Sequence, residues 1–310
     1  MVDNLTDGGV VDDQLENVVR TLTDLDPSGA RFGGVFRETF DQLYDGQRTG
    51  RYKWAQLFKT EKTHFGTLIE INLQREFKFE DGSVLDFNIA GVEVDCKYSF
   101  RAGGWMLPPE SWGQLILVAT ASDELSQWSL GVVRVSEENR RTTYNRDGKT
   151  TLNDRGREAI VWLFRYADLA PNVLLQLPEA AVAAIFAKKP GQGRLDELFR
   201  QAEGRVIHRN AVATVAQQQD YMKRVRYNGG SRSNLRSEGY LIFSGDYSLQ
   251  RNLARDFGLQ PPGPAEMLSV RVVHADPSDP FAVELDGEFW RLAHHGDLID
   301  APSPRLPATS

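Results

Sequence analysis

The chain has 310 residues, 41% of them hydrophobic and 25% charged, with a net charge of -7. That length accommodates two ordinary domains, each with its own core, and the composition is that of a soluble globular protein. One cysteine, Cys96, excludes an internal disulfide and a cysteine-rich zinc site, and no apolar run approaches the ~20 residues that span a bilayer.

Met1 to Val10 is acidic and lacks a basic region followed by an apolar one, so no secretory signal is expected and the expected compartment is cytoplasmic. The acidic cluster from Asp3 to Asp26 reads as solvated surface. Within it, Gln14 to Leu25 carries Leu15, Val18, Val19 and Leu22 at helical spacing, and a second helix is expected over Val35 to Tyr44. Leu43-Tyr44-Asp45-Gly46-Gln47-Arg48 then reads as an Asp-Gly turn closing that helix, with Arg48 exposed. It resembles the K-x-D-G-x-R adenylation motif of DNA ligases, with Leu43 where the nucleophilic lysine stands. Without that amine no covalent nucleotide intermediate can form. Asp45, Gln47 and Arg48 are kept as candidate DNA contacts.

From His64 to about Arg75, Phe65, Leu68, Ile69, Asn72 and Leu73 form one helical stripe, with Glu70 beside it. The stretch Val84 to Tyr98 is more informative. Val92, Val94, Cys96 and Tyr98 alternate with Glu93, Asp95 and Lys97, the pattern of a strand with one buried face. Cys96, turned away from the charges, reads as a small buried residue rather than a nucleophile. The Ala90-Gly91 pair reads as a turn, and if the runs on either side pair as a hairpin, Asp86 is brought back toward Asp95. Two carboxylates beside an ammonium suit a Mg2+ ion held against a phosphodiester and a water activated for in-line attack. An outer strand face with Glu93, Asp95 and Lys97 as solvated charges explains the same pattern, which is common by chance. Against that, carboxylates set among Phe87, Ile89, Val92 and Val94 are costly to desolvate unless something pairs with them, and Glu70 can reach the same ion.

Leu115 to Thr120 reads as a buried strand, Trp128 to Val135 as another, and Asp154 to Tyr166 as a helix carrying Ile160, Leu163 and Phe164. The proline-containing leucine run from Asp168 to Pro178 marks a boundary, giving domains 1–168 and 179–310 with a linker over 169–178. Lys188 to Arg255 holds about 13 basic and about 6 acidic residues, an excess of about seven. A basic second half joined to a carboxylate-bearing first half suits an enzyme that neutralises DNA phosphates in one place and gathers metal ions in another.

The second half is read as helices at Glu179 to Ala187, Arg194 to Ala202, Arg209 to Val215 and Gln217 to Arg226. A turn-rich stretch from Tyr227 to Arg232 and a strand at Tyr240 to Phe243 follow. That order resembles a winged helix-turn-helix (CAP-like). Gln217, Gln218, Gln219, Lys223, Arg224 and Arg226 would face DNA, with Arg209 on the helix before and Arg232, Ser233, Asn234 and Arg236 on the wing. A solvated basic helix is the competing reading. Strands are expected at Leu268 to Val273, Phe281 to Leu285 and Phe289 to Leu292, with Asp286-Gly287 as a hairpin turn. His294 and His295 read as surface residues. His64 and His208 lack metal-ligand partners at suitable spacing.

A helix bearing Glu70, then Asp86 and Asp95-Cys96-Lys97 on a hairpin, resembles the nuclease core of the PD-(D/E)xK superfamily. Leu85 stands where that name has proline. Together with the Leu43 stretch and the basic helix-turn-helix, the whole chain resembles type IIE restriction endonucleases. The resemblance implies an α/β fold: a restriction-endonuclease-like mixed-sheet N-terminal domain plus the winged C-terminal domain. It implies a homodimer that uses Mg2+ to cut both strands of the palindrome GCCGGC and takes a second DNA copy as effector. Glu70, Asp86 and Asp95 would be the metal ligands, with Lys97 completing the catalytic set. Two rivals remain: a winged-helix transcription regulator without nuclease activity, and a ligase-like or topoisomerase-like strand-joining enzyme.

Overall fold

The structure, a computed structural model, describes residues 12–307. The chain divides into two compact units, one made of residues up to Leu43 with Phe58–Ala170, the other of Tyr44–Leu57 with Pro171 onward. It runs through helices α1 (Asp13–Leu25), α2 (Ala30–Tyr44), α3 (Gly46–Thr49) and α4 (Lys59–Phe77). Strands β1 (Glu80–Asp81), β2 (Phe87–Ile89), β3 (Val92–Tyr98), β4 (Leu115–Ser122) and β5 (Gln127–Arg134) follow, then helix α5 (Asp154–Glu158) and strand β6 (Val161–Asp168).

The six strands of the first unit form one sheet in the order β1-β2-β3-β4-β5-β6. β3 and β4 are parallel and every other pair is antiparallel, so the sheet is mixed. Phe32, Phe36 and Phe40, four residues apart on α2, are fully buried. They pack where Trp128 of β5 also lies, 5.1 Å from Phe36 between ring centres. Phe65 of α4 meets Tyr98 of β3 at 4.5 Å. Ile116, Val118, Val133 and Val135 belong to a further cluster with Trp105, Leu107, Leu152 and Ile160. Register sets Asp95 beside Ile116 and Lys97 beside Val118, so these two side chains share that second face.

Two expectations for this unit change. Only Asp154–Glu158 is helical, started by the Asn153 side chain accepting the Gly156 N–H at 2.8 Å. Val161 onward is instead an edge strand on β5, because a short run rich in β-branched and aromatic residues satisfies helical spacing by chance while the open edge of β5 supplies a ladder. The acidic cluster is also not simply solvated. Asp3 and Asp7 lie outside the described residues, but Asp12 caps α1 through the Leu15 N–H and pairs with Arg134 at 2.6 Å. Asp26 is buried and accepts the Arg31 and Phe32 N–H groups at 2.8 and 3.0 Å, satisfying donors of the first turn of α2.

The second unit contains α3 and then α6 (Val173–Gln176), α7 (Glu179–Ala187), α8 (Gln192–Gln201), β7 (Val206–His208), α9 (Arg209–Ala216) and α10 (Ser231–Asn234). β8 (Tyr240–Ser244), α11 (Ser248–Asp256), β9 (Glu266–His274), β10 (Val283–Leu285) and β11 (Glu288–Leu292) complete it. β9 pairs antiparallel with β7, β8 and β11. Asp286 and Gly287, at φ 58° and 82°, make the tight β10–β11 hairpin. Within the segment read as a linker, Val173, Leu174 and Leu177 enter the core of this unit beside Ile185, Leu198 and Val212.

The helix expected over Gln217 to Arg226 does not form. Gln217 is left-handed, at φ 49°, and ends α9; only Tyr221–Val225 then winds, as a 3-10 turn. Three consecutive glutamines and a basic run carry no buried stripe to hold an α-helix against the core.

Candidate active site and nucleic-acid surface

The hairpin of β2 and β3 turns through Ala90 and Gly91 at φ 53° and 79°, the left-handed pair that a two-residue turn requires. Its register, Phe87 opposite Val94, continues by one step to set Asp86 opposite Asp95. The Cys96 N–H donates to Asp86 Oδ2 at 2.7 Å, fixing that carboxylate on β3. Lys97 Nζ lies 2.5 Å from Asp95 Oδ1 and 3.7 Å from Asp86 Oδ2, and donates to the Cys96 carbonyl at 3.0 Å. Acid, acid and ammonium therefore meet as the alternation anticipated.

Asp95 is only 3% exposed, and its Oδ2 is buried without a hydrogen-bond partner. Burial first, and the neighbouring Asp86 carboxyl second, push Asp95 up to about 7, with Lys97 pulling the other way. Glu70, on α4, is raised by burial and by the Asp86 charge. Burial alone would lower the Lys97 ammonium, but Asp95 and Asp86 outweigh it and hold the lysine above its ordinary value. Burial and the Asp86 charge thus hold two acids above their usual range, with one carboxylate oxygen of Asp95 left unmatched. Among the described residues no group of three His, Cys, Asp or Glu side chains is gathered closely enough to cage a metal. Cys96 is buried and its thiol is pushed up by burial, which suits a packing role.

Glu93, which remains accessible to solvent, is engaged by backbone amides rather than by Asp95 and Lys97. It accepts the N–H groups of Ser83, Val84 and Leu85 at 2.5, 3.1 and 2.9 Å. The Leu85 and Ser83 amides hold its carboxyl below the usual range. Nothing in the spacing of the sequence signals this, because the partners are backbone groups.

In the second unit, Gln47, Arg48, Pro190, Gln217, Gln218 and Gln219 line one open cavity of about 640 Å³. Five of these were candidate DNA contacts drawn from two distant stretches, and the fold brings them together. The Gln47 amide donates to the Gln218 carbonyl at 2.9 Å, and Arg194 donates to Gln217 Oε1 at 2.5 Å. Gln218 leans its amide on the Pro190 carbonyl at 3.4 Å. These three glutamines build the wall, whereas Arg48, with 84% of its side chain exposed, and Gln219 face outward. Asp45, left-handed at φ 46°, starts α3 and pairs with Arg48 at 3.3 Å. Leu43, in the position of the ligase lysine, is buried.

Arg209, Lys223 and Arg226 are exposed. Arg224 lies 3.6 Å from Asp220. The wing residues differ from expectation because Arg232 and Asn234 sit on α10 rather than on a hairpin. Arg232 donates to the Ile242 carbonyl at 3.0 Å and Gln250 Oε1 at 3.1 Å, with burial lowering its pKa, so it holds the fold and is not presented to DNA. Asn234 donates to Asp196 and Arg236 to the Ser303 carbonyl, at 2.8 and 2.7 Å. Ser233 is half-buried. His294 and His295 are exposed.

Among the described residues no helix is long and apolar enough to cross a membrane. A family model described as restriction endonuclease NaeI matches residues 16–301. Type II restriction enzyme NaeI of Lentzea aerocolonigenes is 49% identical over 300 residues, which cover 94% of this chain and 94% of that protein.

Proposed function

This chain belongs to the NaeI restriction endonuclease family and is a type II site-specific deoxyribonuclease, and we propose that Glu70, Asp86, Asp95 and Lys97 are its cutting centre. The observation that carries this reading is the buried, unmatched Oδ2 of Asp95, whose other oxygen pairs with a Lys97 that also reaches Asp86. A divalent cation would suit that environment, because it would add positive charge beside an unmatched carboxylate oxygen and two acids that burial raises. Asp86 and Asp95 would hold Mg2+, with Glu70 as a further ligand or as the acceptor that orients a water. Bound there, Mg2+ would offset charge on the scissile phosphate and lower the pKa of a water.

Lys97 is held as an ammonium by its two aspartates, which suits it to orient the attacking water and to stabilise charge growing on the phosphate. Acting as a base would first require loss of the proton those aspartates retain.

The duplex target we propose is the palindrome GCCGGC, supported by the extent of identity to the NaeI enzyme. A palindrome calls for two copies of the site related by a dyad, hence a homodimer. The second unit would take another duplex as effector. The basic excess of Lys188 to Arg255 supports this, as does the order α8, β7, α9, short helical turns, β8 and β9, with β7 and β8 flanking β9 as in a winged helix-turn-helix. Arg48, Arg209, Gln219, Lys223 and Arg226 are exposed and would contact it.

The test is Asp95→Ala with a GCCGGC-bearing plasmid and Mg2+, alongside a gel shift in metal-free buffer. The expected result is loss of cutting with the shift retained. Wild-type cutting by the variant would refute the assignment. Stimulation of the wild type by a short duplex bearing the site, and none by one lacking it, is the result expected of an effector site.

A further inference from the structure

We propose that Glu93 is a positioning residue that fixes Asp86 for cation binding by clamping the backbone of residues 83–85. The proposal rests on the reading of Asp86 as a metal ligand.

The loop before β2 is closed at its base by the β1–β2 pairing, and its outer residues are otherwise exposed. Val84 at its tip is 75% exposed, and only Leu85 is buried. The loop is tight: Gly82 N–H approaches the Asp86 carbonyl at 3.5 Å, and a β-carbon at 82 would run into the Leu85 carbonyl. Three successive amides, of Ser83, Val84 and Leu85, converge on the one Glu93 carboxylate, with Ser83 on Oε1 and the other two on Oε2. Consecutive backbone N–H groups aimed at one anion form a concave nest, and hydrogen bonds to a charged acceptor are about twice as strong as neutral ones.

Geometry links this clamp to the site. Glu93 is two residues before Asp95 on β3, and Cys96 on the same strand donates to the Asp86 side chain. One strand therefore presents Asp95, grips the Asp86 carboxylate, and through Glu93 grips the backbone that leads into Asp86. The separation of the two carboxylates is set by β3 rather than by the loop. With Glu93 truncated, the loop keeps its chemistry but loses its anchor, and Asp86 must be ordered by the cation itself. The cost then falls on metal affinity and not on DNA affinity.

Glu93→Ala and Glu93→Gln would be compared with wild type and with Asp86→Ala. Hydrogen exchange at the amides of 83–85, without metal, should quicken in Glu93→Ala while the rest of the sheet stays protected. The Mg2+ concentration for half-maximal cutting should rise on the order of tenfold, the loss typical when a ligand's supporting partner is removed, with cutting regained at saturating Mg2+. Affinity for duplex in metal-free buffer should stay at the wild-type value, and Glu93→Gln, with one acceptor oxygen, should fall between. If Glu93→Ala does not fold, Glu93→Gln is read by the same measurements. Unchanged exchange at 83–85, an unchanged Mg2+ requirement, or cutting that saturating Mg2+ does not restore would overturn the proposal. Wild-type cutting by Asp86→Ala would instead remove the reading on which it rests, whatever Glu93 does.

Discussion

Asp95→Asn should make the metal-free protein more stable while abolishing cleavage. The buried Asp95 carboxyl is raised from 3.8 to about 7, mainly by burial, with 5% of its side chain exposed. A raised acid favours the folded state when protonated. That contribution is fully present below 3.8 and is gone once pH has risen through about 7. About three units at 1.36 kcal/mol each is about 4 kcal/mol, of which about 3 kcal/mol falls between pH 5 and pH 8. Asparagine has the same shape and does not ionise, so it escapes this loss, apart from what Lys97 forfeits with its 2.5 Å partner. Urea denaturation in EDTA at several pH values would measure both proteins. The wild type should lose stability from pH 5 to 8 and the variant should lose less, so that their curves separate toward high pH. A variant no more stable than wild type at pH 8, or parallel curves across the window, would refute the reasoning.

Gly46→Ala should destabilise the second unit by ~1–3 kcal/mol, because the new β-carbon collides with Thr214 Oγ1 and lies 2.9 Å from its Cβ; thermal melts would register it. Trp128→Ala removes a ring 2% exposed and packed 5.1 Å from both Phe36 and Phe164, and should cost about 3–5 kcal/mol in urea denaturation. His274, raised by Glu288 at 3.0 Å and Asp300 at 3.2 Å, should titrate by NMR above 6.5 and move back toward it in Glu288→Gln. The His274 ties therefore stabilise at pH below that midpoint and fade as pH rises through it. Arg48→Ala should weaken binding of duplex by the second unit and lower the slope of log affinity against log salt by about one.

How legible the site was depended on whether its contacts are local. The hairpin could be read because alternation of period two and an Ala90-Gly91 turn together fix the register, and register alone brings Asp86 to Asp95. Glu93 looked equivalent to Asp95 and Lys97 because a strand pattern assigns faces and says nothing of what covers them. Residues 161–166 read as the end of a helix because Ile160, Leu163 and Phe164 fit helical spacing, and so short a run does not exclude a strand. The basic stretch after α9 satisfied a compositional idea of a recognition helix, but Gln217 turns left-handed and breaks it. Arg232 looked like a wing contact for the same reason, and its donors are taken up by Ile242 and Gln250. The grouping of Gln47 and Arg48 with Gln217 to Gln219 depended on pairing across most of the chain, which no local pattern encodes.

That the second unit borrows Tyr44–Leu57 bears on how the protein is made. Gln47 and Gln218, which hold each other at 2.9 Å, are 171 residues apart. At synthesis rates of ~5–20 residues per second, residues 44–57 wait roughly 10–50 s on the ribosome before the chain that completes their unit exists. During that interval the first unit can collapse around its own sheet, leaving these fourteen residues as an open excursion between α2 and α4. A fragment beginning at Pro171 would lack α3 permanently and leave α9 without one of the helices it packs against. The second unit is therefore finished last, and only in a chain that has kept its beginning.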